Sequence, residues 1–392
     1  MTCEWKSRTE WVDESKPKLD FLSKTFGAAQ VPVANCRKSE YGSQPKQTWT
    51  VEQFITYWKN YCHAEKETCN TECHYLKDWH FTSDFPDYQA YFTPTFFSSD
   101  WLNEACDAKC FDCDEDFRFV YMGPKGSWTP FHADVYRSFS WSANICGRKK
   151  WIFCRCGFEE KHRDKFGNLP FDVTEISKEH PDDFIEIFQE AGEVIFVPSG
   201  WHHQVHNLEN TISINHNWIN GSNLKRVWCF LQNELAAVEK EIDDCKSGMT
   251  DEQWTNQCQM LMRANTGMNF ADFLKLLETI THARLDQIRK KLDLKNIFQM
   301  DDIQNQTAIQ PSVHDCLETL VKLQQALAGI EGDKKAFPKH VNHIVFDLCA
   351  ILPVIVDWLE KDKISSAQLT SRVKQLTLNI TFTLKSITNF LG

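Results

Sequence analysis

This 392-residue chain has neither a long apolar run nor a surplus of positive charge. The longest apolar stretch is too short to span a bilayer, and two aspartates and a proline interrupt it: HIVFDLCAILPVIVDWL. Asp and Glu outnumber Lys and Arg by 54 to 43, whereas a nucleic-acid-binding surface needs a basic stripe. No apolar segment of the kind that directs export stands among the first residues, MTCEWKSRTEWVDESK. We therefore expect a cytoplasmic protein that binds neither membranes nor nucleic acid.

Several common catalytic motifs are also missing. The chain contains no Gly-x-Gly-x-x-Gly dinucleotide fingerprint, no P-loop and no nucleophile elbow of serine hydrolases. Sixteen cysteines are present, but without an export signal they do not predict a disulfide framework, and we expect mostly reduced thiols. Cys106, Cys110 and Cys113 have the spacing Cys-x3-Cys-x2-Cys, which differs from the two Cys-x2-Cys pairs of a zinc ribbon or finger. An acidic loop with incidental thiols is therefore favoured over a structural zinc site.

The pattern of apolar residues divides the chain into three regions. Residues 1–120 combine a helix over 50–62 with short strands, and we expect this lead-in to pack on the second region. Residues 121–222 contain short strands rich in aromatic and β-branched residues, which favours a barrel or a double-sheet sandwich. Residues 223–392 repeat apolar positions at helical spacing, and we interpret the ambiguous stretch LTLNITFTL as helix because no turn signal breaks it. The predicted fold class is α+β.

One short segment and one later segment predict a metal site. His132 and Asp134 stand two apart in TPFHAD, and on a strand such residues point to the same side. A third ligand is available in GEVIFVPSGWHHQVHNL, which contains His202, His203 and His206. Two imidazoles and one carboxylate form the facial triad of non-haem Fe(II) oxygenases. Strand alternation places His202 and His206 on one side and His203 on the other, and it leaves open which side faces the metal.

Three motifs in order, TPFHAD, NICGRKKWIF and GEVIFVPSGWHHQVHNL, resemble those of JmjC domains. These domains are cupin-type barrels, built as a double-stranded β-helix, of Fe(II)- and 2-oxoglutarate-dependent oxygenases. Upstream, YLKDWHF and YFTPTFFSSDWLNE are similar to the lead-in of small JmjC hydroxylases, in particular lysyl hydroxylases that modify the eukaryotic translation release factor. Such relatives usually begin with an additional strand bearing Asn-x-Pro, which is absent here, so we expect a shortened N-terminus. The resemblance implies a JmjC catalytic core over 121–222 followed by a C-terminal helical region.

The resemblance also implies a role for individual residues. It assigns the metal to His132, Asp134 and His203, with Fe(II), 2-oxoglutarate and O2 as cofactors. The far carboxylate of 2-oxoglutarate is then expected to bind Lys149, because an unpaired buried ammonium is costly. Thr129 matches the hydroxyl partner of that carboxylate in the family. Further candidates for the cosubstrate pocket are Tyr121, Ser142 and Asn215.

The predicted function is Fe(II)- and 2-oxoglutarate-dependent hydroxylation of a protein side chain, namely a lysine carbon of the translation termination factor. One alternative is N-methyl-lysine demethylation, although no Cys/His chromatin-reader module is recognisable. The other is a cupin-like binding module with no catalysis, against which the intact ligand pattern argues. The C-terminal helices are expected to pack within a monomer, to form a substrate platform or to form a homodimer.

Overall fold

The computed structural model describes residues 2–64, 72–111, 116–291, 339–361 and 366–391. The chain divides into two compact units, and each is described by itself. One unit combines Met1–Asn103 with Asp114–Trp218, and the other combines Glu104–Cys113 with Ile219–Gly392. Cys113, which belongs to the possible zinc cluster, lies outside the described residues.

The elements up to residue 218 alternate between short helices and strands. In chain order they are α1 (Lys6–Glu10), β1 (Val12–Asp13), β2 (Lys16–Pro17), α2 (Leu19–Phe26), β3 (Gln30–Asn35), β4 (Lys46–Thr50), α3 (Val51–Ala64), β5 (His74–Trp79), α4 (Phe81–Asp84), α5 (Trp101–Asp107), β6 (Arg118–Gly123), β7 (Trp128–His132), β8 (Phe139–Cys146), β9 (Lys149–Cys154), α6 (Ile176–Glu179), β10 (Phe184–Gln189), β11 (Val194–Val197), β12 (His203–Asn207) and β13 (Thr211–Trp218).

Two antiparallel sheets form the barrel that holds the candidate site. The larger sheet has the strand order β11-β8-β13-β6-β5-β3-β4, and the smaller one has the order β10-β9-β12-β7. Strands β6 to β13 therefore supply four strands to each sheet, and most connections cross from one sheet to the other. This is the arrangement of a double-stranded β-helix, so the predicted barrel is confirmed. Strands β5, β3 and β4 extend the larger sheet from the N-terminal side.

An aromatic cluster fixes the N-terminal elements against this sheet. The rings of Trp11, Phe26, Trp79 and Phe81 meet at steep angles with centroids 5.0 to 6.2 Å apart. All four side chains are almost completely buried. Aromatic pairs in this geometry stabilise a fold beyond the apolar area that they bury. The high Trp and Phe content of the sequence is thus explained in part by this cluster.

The second unit is built from helices, as predicted. They are α7 (Leu224–Glu241), α8 (Asp251–Thr266), α9 (Phe270–Lys291), α10 (Lys339–Glu360) and α11 (Ala367–Leu391). The ambiguous LTLNITFTL stretch lies within α11 and is helical, while residues 292–338 of the predicted helical region fall outside the described residues. Trp228 stacks on Trp358 and on Phe273, with ring centroids 5.0 and 5.7 Å apart. Among the described residues, no helix has the length and apolar character that crossing a membrane requires.

A buried arginine links three segments of the helical unit. Arg284 on α9 is 6% exposed; its Nη1 and Nη2 donate to the Glu104 carboxylate at 2.6 and 2.8 Å, and its Nε donates to Asp347 Oδ2 at 2.6 Å. Removing the cation of a buried ion pair leaves a buried carboxylate, here that of Asp347, without its main compensating charge. This network ties Glu104 to α9 and α10, which belong to the same unit.

We expect Arg284→Met to lower the free energy of unfolding by about 3 to 5 kcal/mol, because both carboxylates lose their cation. Urea unfolding followed by circular dichroism measures the change. The matched control is Arg263→Met, since Arg263 pairs with Asp272 at 3.3 Å but is half exposed. This control is expected to cost less than about 1 kcal/mol. Equal losses for the two variants would contradict the role of Arg284.

Candidate metal and cosubstrate site

The ends of two neighbouring strands bring three potential metal ligands together. His132 is the last residue of β7, His203 is the first residue of β12, and the two are paired directly across the strands. Asp134 follows two residues after His132. The ligand atoms of these three side chains all lie within 4.8 Å of one another.

Asp134, which supplies the carboxylate of this cluster, lies on a different structural element from the one that the sequence predicted. We expected His132 and Asp134 on one strand, but β7 ends at His132 because its partner strand begins there, at His203. Asp134 lies in the turn after the strand, which continues through Tyr136 and Arg137 with left-handed φ angles of 55° and 57°. Outside the strand, alternation no longer determines the direction of the side chain. The hydroxyl of Ser140 donates to Asp134 Oδ2 at 2.8 Å and orients the carboxylate.

Both histidines are held in the tautomer that a metal requires. Nδ1 of His132 lies 2.8 Å from the Pro130 carbonyl oxygen, and Nδ1 of His203 lies 3.1 Å from that of Trp201. Because a carbonyl oxygen only accepts, each Nδ1 carries the proton and each Nε2 of the neutral ring keeps its lone pair. Burial and the neighbouring His203 lower the pKa of His132 to about 4, so its ring is neutral at physiological pH. This donor set fits a divalent cation with open coordination positions.

The other two histidines of the later segment have different partners. His202 accepts a hydrogen bond from Arg137 Nη1 at 3.2 Å, and its ring packs on Phe131. His206 stacks on Trp128, with ring centroids 5.5 Å apart and planes inclined by 6°. Strand alternation left three histidines open and the resemblance favoured His203; it is His203 that lies in the cluster.

A cavity beside the cluster collects the residues that the sequence analysis assigned to the cosubstrate. Its walls include Lys149, Thr129, Tyr121, Ser142 and Asn215, together with the three potential ligands. The hydroxyl of Ser142 is buried there and has no hydrogen-bond partner among the residues that the structure describes. A polar atom in this condition is costly unless a bound molecule completes its hydrogen bonding.

Lys149 is the most unusual residue of this cavity. It is 2% exposed, and its Nζ donates to the Ser213 hydroxyl at 2.7 Å. Among the residues that the structure describes, no carboxylate forms an ion pair with it. Burial lowers its pKa to about 7, because the charged ammonium has lost its water without gaining an anion. The neighbouring Lys150, in contrast, pairs with Glu186 at 2.6 Å. The surroundings of Lys149 therefore fit an anionic ligand.

Sequence reasoning missed part of the cavity wall, namely Tyr75, Trp151, Val205 and Asn217. Tyr75 lies on β5, and a Cβ at Gly123 would come within 2.7 Å of its ring, so this glycine makes room for it. The strand was recognisable from YLKDWHF, but its pairing with β6 was not, and pairing decides which side chains face the cavity. Tyr121 was expected in the pocket; its hydroxyl donates to Asp78 Oδ1.

Comparison with known proteins agrees with this geometry. The family model described as "JmjC domain, hydroxylase" matches residues 119–218. The 2-oxoglutarate and iron-dependent oxygenase JMJD4 of Gallus gallus is 51% identical over 301 residues, which cover 74% of this chain and 69% of that protein. The protein of the same name from Homo sapiens is 51% identical over 296 residues, or 73% and 70% of the two chains. A protein of Arabidopsis thaliana named arginine-specific demethylase JMJ20 is 42% identical over 293 residues, or 70% and 62%. The chain belongs to the JmjC-domain family of 2-oxoglutarate and iron-dependent oxygenases.

Proposed function

We propose that this chain is an Fe(II)- and 2-oxoglutarate-dependent dioxygenase that hydroxylates a protein side chain. The observation that carries the proposal is the presence, in one cavity, of the His132–Asp134–His203 cluster and a buried Lys149 without a carboxylate partner among the described residues. Two imidazoles and a carboxylate on one face of iron leave positions open for a cosubstrate and for oxygen. An ammonium at the far end of the same cavity matches the second carboxylate of 2-oxoglutarate.

The three residues of the cluster offer two neutral nitrogen ligands and one anionic oxygen ligand for the metal. His132 and His203 would hold Fe(II) through Nε2, since their Nδ1 protons are already donated to backbone carbonyls. Asp134 supplies the anionic ligand, and Ser140 fixes the orientation of its carboxylate. Such outer hydrogen bonds set both the direction and the basicity of metal ligands.

The remaining cavity residues bind the cosubstrate and exclude water. Lys149 binds the far carboxylate of 2-oxoglutarate, and Thr129 donates its hydroxyl to the same group. Ser142 and Asn215 add polar contacts along the cavity. When bound, iron and 2-oxoglutarate use O2 to insert oxygen into an unactivated C–H bond, with release of succinate and CO2.

The proposed target is a lysine carbon of the eukaryotic translation release factor, and the proposed location is the cytoplasm, where translation occurs. The support for this choice is the resemblance of the barrel motifs and of the lead-in to JmjC lysyl hydroxylases. The C-terminal helices remain candidates for a substrate platform or for the contact of a homodimer, which light scattering of the purified protein tests.

Mass spectrometry of the release factor, incubated with the chain, Fe(II) and 2-oxoglutarate, tests the proposal. We expect one added oxygen atom on a lysine-containing peptide and a stoichiometric amount of succinate. The control is the Asp134→Ala variant, which lacks the anionic ligand. Succinate formed with no oxygen added to the release factor would reject this target, and no succinate with any candidate protein would favour the alternative of a non-catalytic binding module.

A second candidate function is removal of an N-methyl group, either from lysine or from arginine. The observation in its favour is the likeness to the plant protein named an arginine-specific demethylase. The same oxidant would act on the N-methyl carbon, and the hydroxymethyl product would release formaldehyde. Incubation with methylated histone peptides distinguishes the two functions, because formaldehyde release is expected for demethylation and not for hydroxylation of a lysine carbon.

A further inference from the structure

A second carboxylate, that of Asp78, lies beside the cavity, outside the set of potential metal ligands. Tyr121, which forms part of the cavity wall, donates its hydroxyl proton to Asp78 Oδ1. Besides burial, both Asp78 and Asp134 raise the pKa of Tyr121, so the phenol lies within electrostatic reach of both carboxylates. The side chain of Asp78 is 28% exposed.

The backbone places Asp78 at an irregular point of β5. The pairing of β5 with β6 shifts register between Leu76 and Trp79, and Asp78 has a left-handed φ of 62°. Residues other than glycine rarely adopt this conformation, and where they do it often serves a functional site. Here it turns the carboxylate out of the regular strand alternation and towards Tyr121.

Lys46, the cation that pairs with Asp78, can be replaced by the ammonium of a ligand. Lys46 lies on β4, the edge strand of the larger sheet, and its Nζ contacts Asp78 Oδ2 while its side chain remains 43% exposed. An exposed ammonium on a flexible stem returns to water at little cost. Replacing one ammonium by another at Asp78 would leave the local charge unchanged.

A third lysine stays in place during such an exchange. Lys77 is 8% exposed, and its Nζ donates to Gln44 Oε1 at 3.3 Å. Although burial raises the pKa of Asp78, the charges of Lys46 and Lys77 lower it overall. When the ammonium of a ligand replaces that of Lys46, Asp78 keeps a cation beside it, and Lys77 stays adjacent in the chain.

We propose that Asp78 binds the primary ammonium of a substrate lysine, and that Lys46 occupies this position when substrate is absent. The inference rests on the proposed function, since it names the group that recognises the substrate side chain. The ammonium donates to the Asp78 carboxylate and to the Tyr121 oxygen, which accepts while its own proton is donated to Asp78. A trimethylated lysine has no N–H to donate, so this site disfavours trimethylated lysine relative to unmethylated lysine.

Binding of two small probes tests the role of Asp78. The full chain is loaded with Mn(II) and N-oxalylglycine, an unreactive analogue of 2-oxoglutarate, and titrated calorimetrically with Nα-acetyl-lysine amide or Nα-acetyl-norleucine amide. We expect wild type to prefer the lysine probe by about tenfold, as is typical of a charge-assisted hydrogen bond. Asp78→Asn is expected to remove this preference, and Lys46→Met is expected to strengthen lysine binding about threefold because the competing ammonium is gone.

The matched control is Asp20→Asn, which removes another exposed Asp–Lys pair, Asp20–Lys59, of the same unit. This variant is expected to keep the preference of wild type. If wild type does not distinguish the two probes, or if Lys46→Met weakens lysine binding, the inference is wrong. The Lys46→Met result decides the matter even if Asp78→Asn fails to fold.

The outcome is separate from that of the proposed function. A lysine preference that depends on Asp78, in a protein that does not hydroxylate the release factor, would reject the target and retain the binding site. Hydroxylation of the release factor by wild type, together with equal binding of the two probes, would retain the function and reject the role of Asp78.

Discussion

Replacing His203 with glutamine is expected to abolish high-affinity iron binding and to lower turnover of 2-oxoglutarate at least about hundredfold. The loss of a hydrogen-bond partner outside the ligand set already costs metalloenzymes about 10- to 100-fold in affinity or activity, and a direct ligand contributes more. His203 lies within 4.8 Å of the ligand atoms of His132 and Asp134. Its loss leaves two ligands, which is too few to hold a labile divalent ion.

His206, three residues after His203, provides a matched control. His206→Gln removes a histidine of the same strand that stacks on Trp128 and is absent from the cluster. This variant is expected to keep iron content and succinate formation close to those of wild type. Both variants are to be compared by metal analysis and by thermal unfolding, which shows that each has folded. If His206→Gln loses iron and His203→Gln retains it, the metal site is assigned to the wrong histidine.

Replacing Lys149 with methionine is expected to weaken 2-oxoglutarate binding about hundredfold and, at the same time, to stabilise the protein without cosubstrate. The affinity falls because the far carboxylate loses its buried, charged partner. Stability rises because a buried ammonium with one hydroxyl partner is replaced by an apolar side chain of similar length. Replacement of buried charges by apolar residues has stabilised other proteins by about 1 to 4 kcal/mol.

Calorimetric titration with 2-oxoglutarate and urea unfolding of the protein without cosubstrate measure the two effects. Lys150→Met is the matched control, because Lys150 pairs with Glu186 and is 22% exposed. It is expected to change neither quantity by much. A loss of stability in Lys149→Met would show that its ammonium already has an adequate partner in the protein.

The low pKa of Lys149 predicts the sign of a pH effect on the same variant. Its pKa is about 7 in the folded protein, against 10.5 for a lysine exposed to water. The unfolded chain therefore binds more protons between these two values, and the contribution of Lys149 to stability rises with pH across that window. Below about pH 7 the penalty for burying the ammonium is complete. Lys149→Met should lack this rise when unfolding free energies are compared at about pH 7 and about pH 9.

Some features of the site were predictable because they depend on local patterns. The strand that carries Lys149 shows in NICGRKKWIF, and alternation alone predicts that Lys149 and Lys150 face opposite sides. The helical character of LTLNITFTL, in contrast, was not determined by its pattern, because the apolar residues of this stretch fit the periodicity of a strand as well as that of a helix. The position of Asp134 was not predictable from local patterns. The strand that was expected to carry it ends at His132, because the partner strand β12 begins opposite that residue, at His203.

The sequence by itself determined the kinds of ligand, their order along the chain and the type of barrel that carries them. Residue chemistry and strand periodicity are local properties, and both can be read from the three motifs that resemble those of JmjC domains. The tertiary structure alone decided that Tyr75 and Asp78 lie beside the cavity, and it places His203, for which strand alternation left alternatives and which the resemblance favoured, opposite His132. These contacts depend on the register between strands distant in sequence and on one left-handed residue in β5, and neither is encoded in a local pattern.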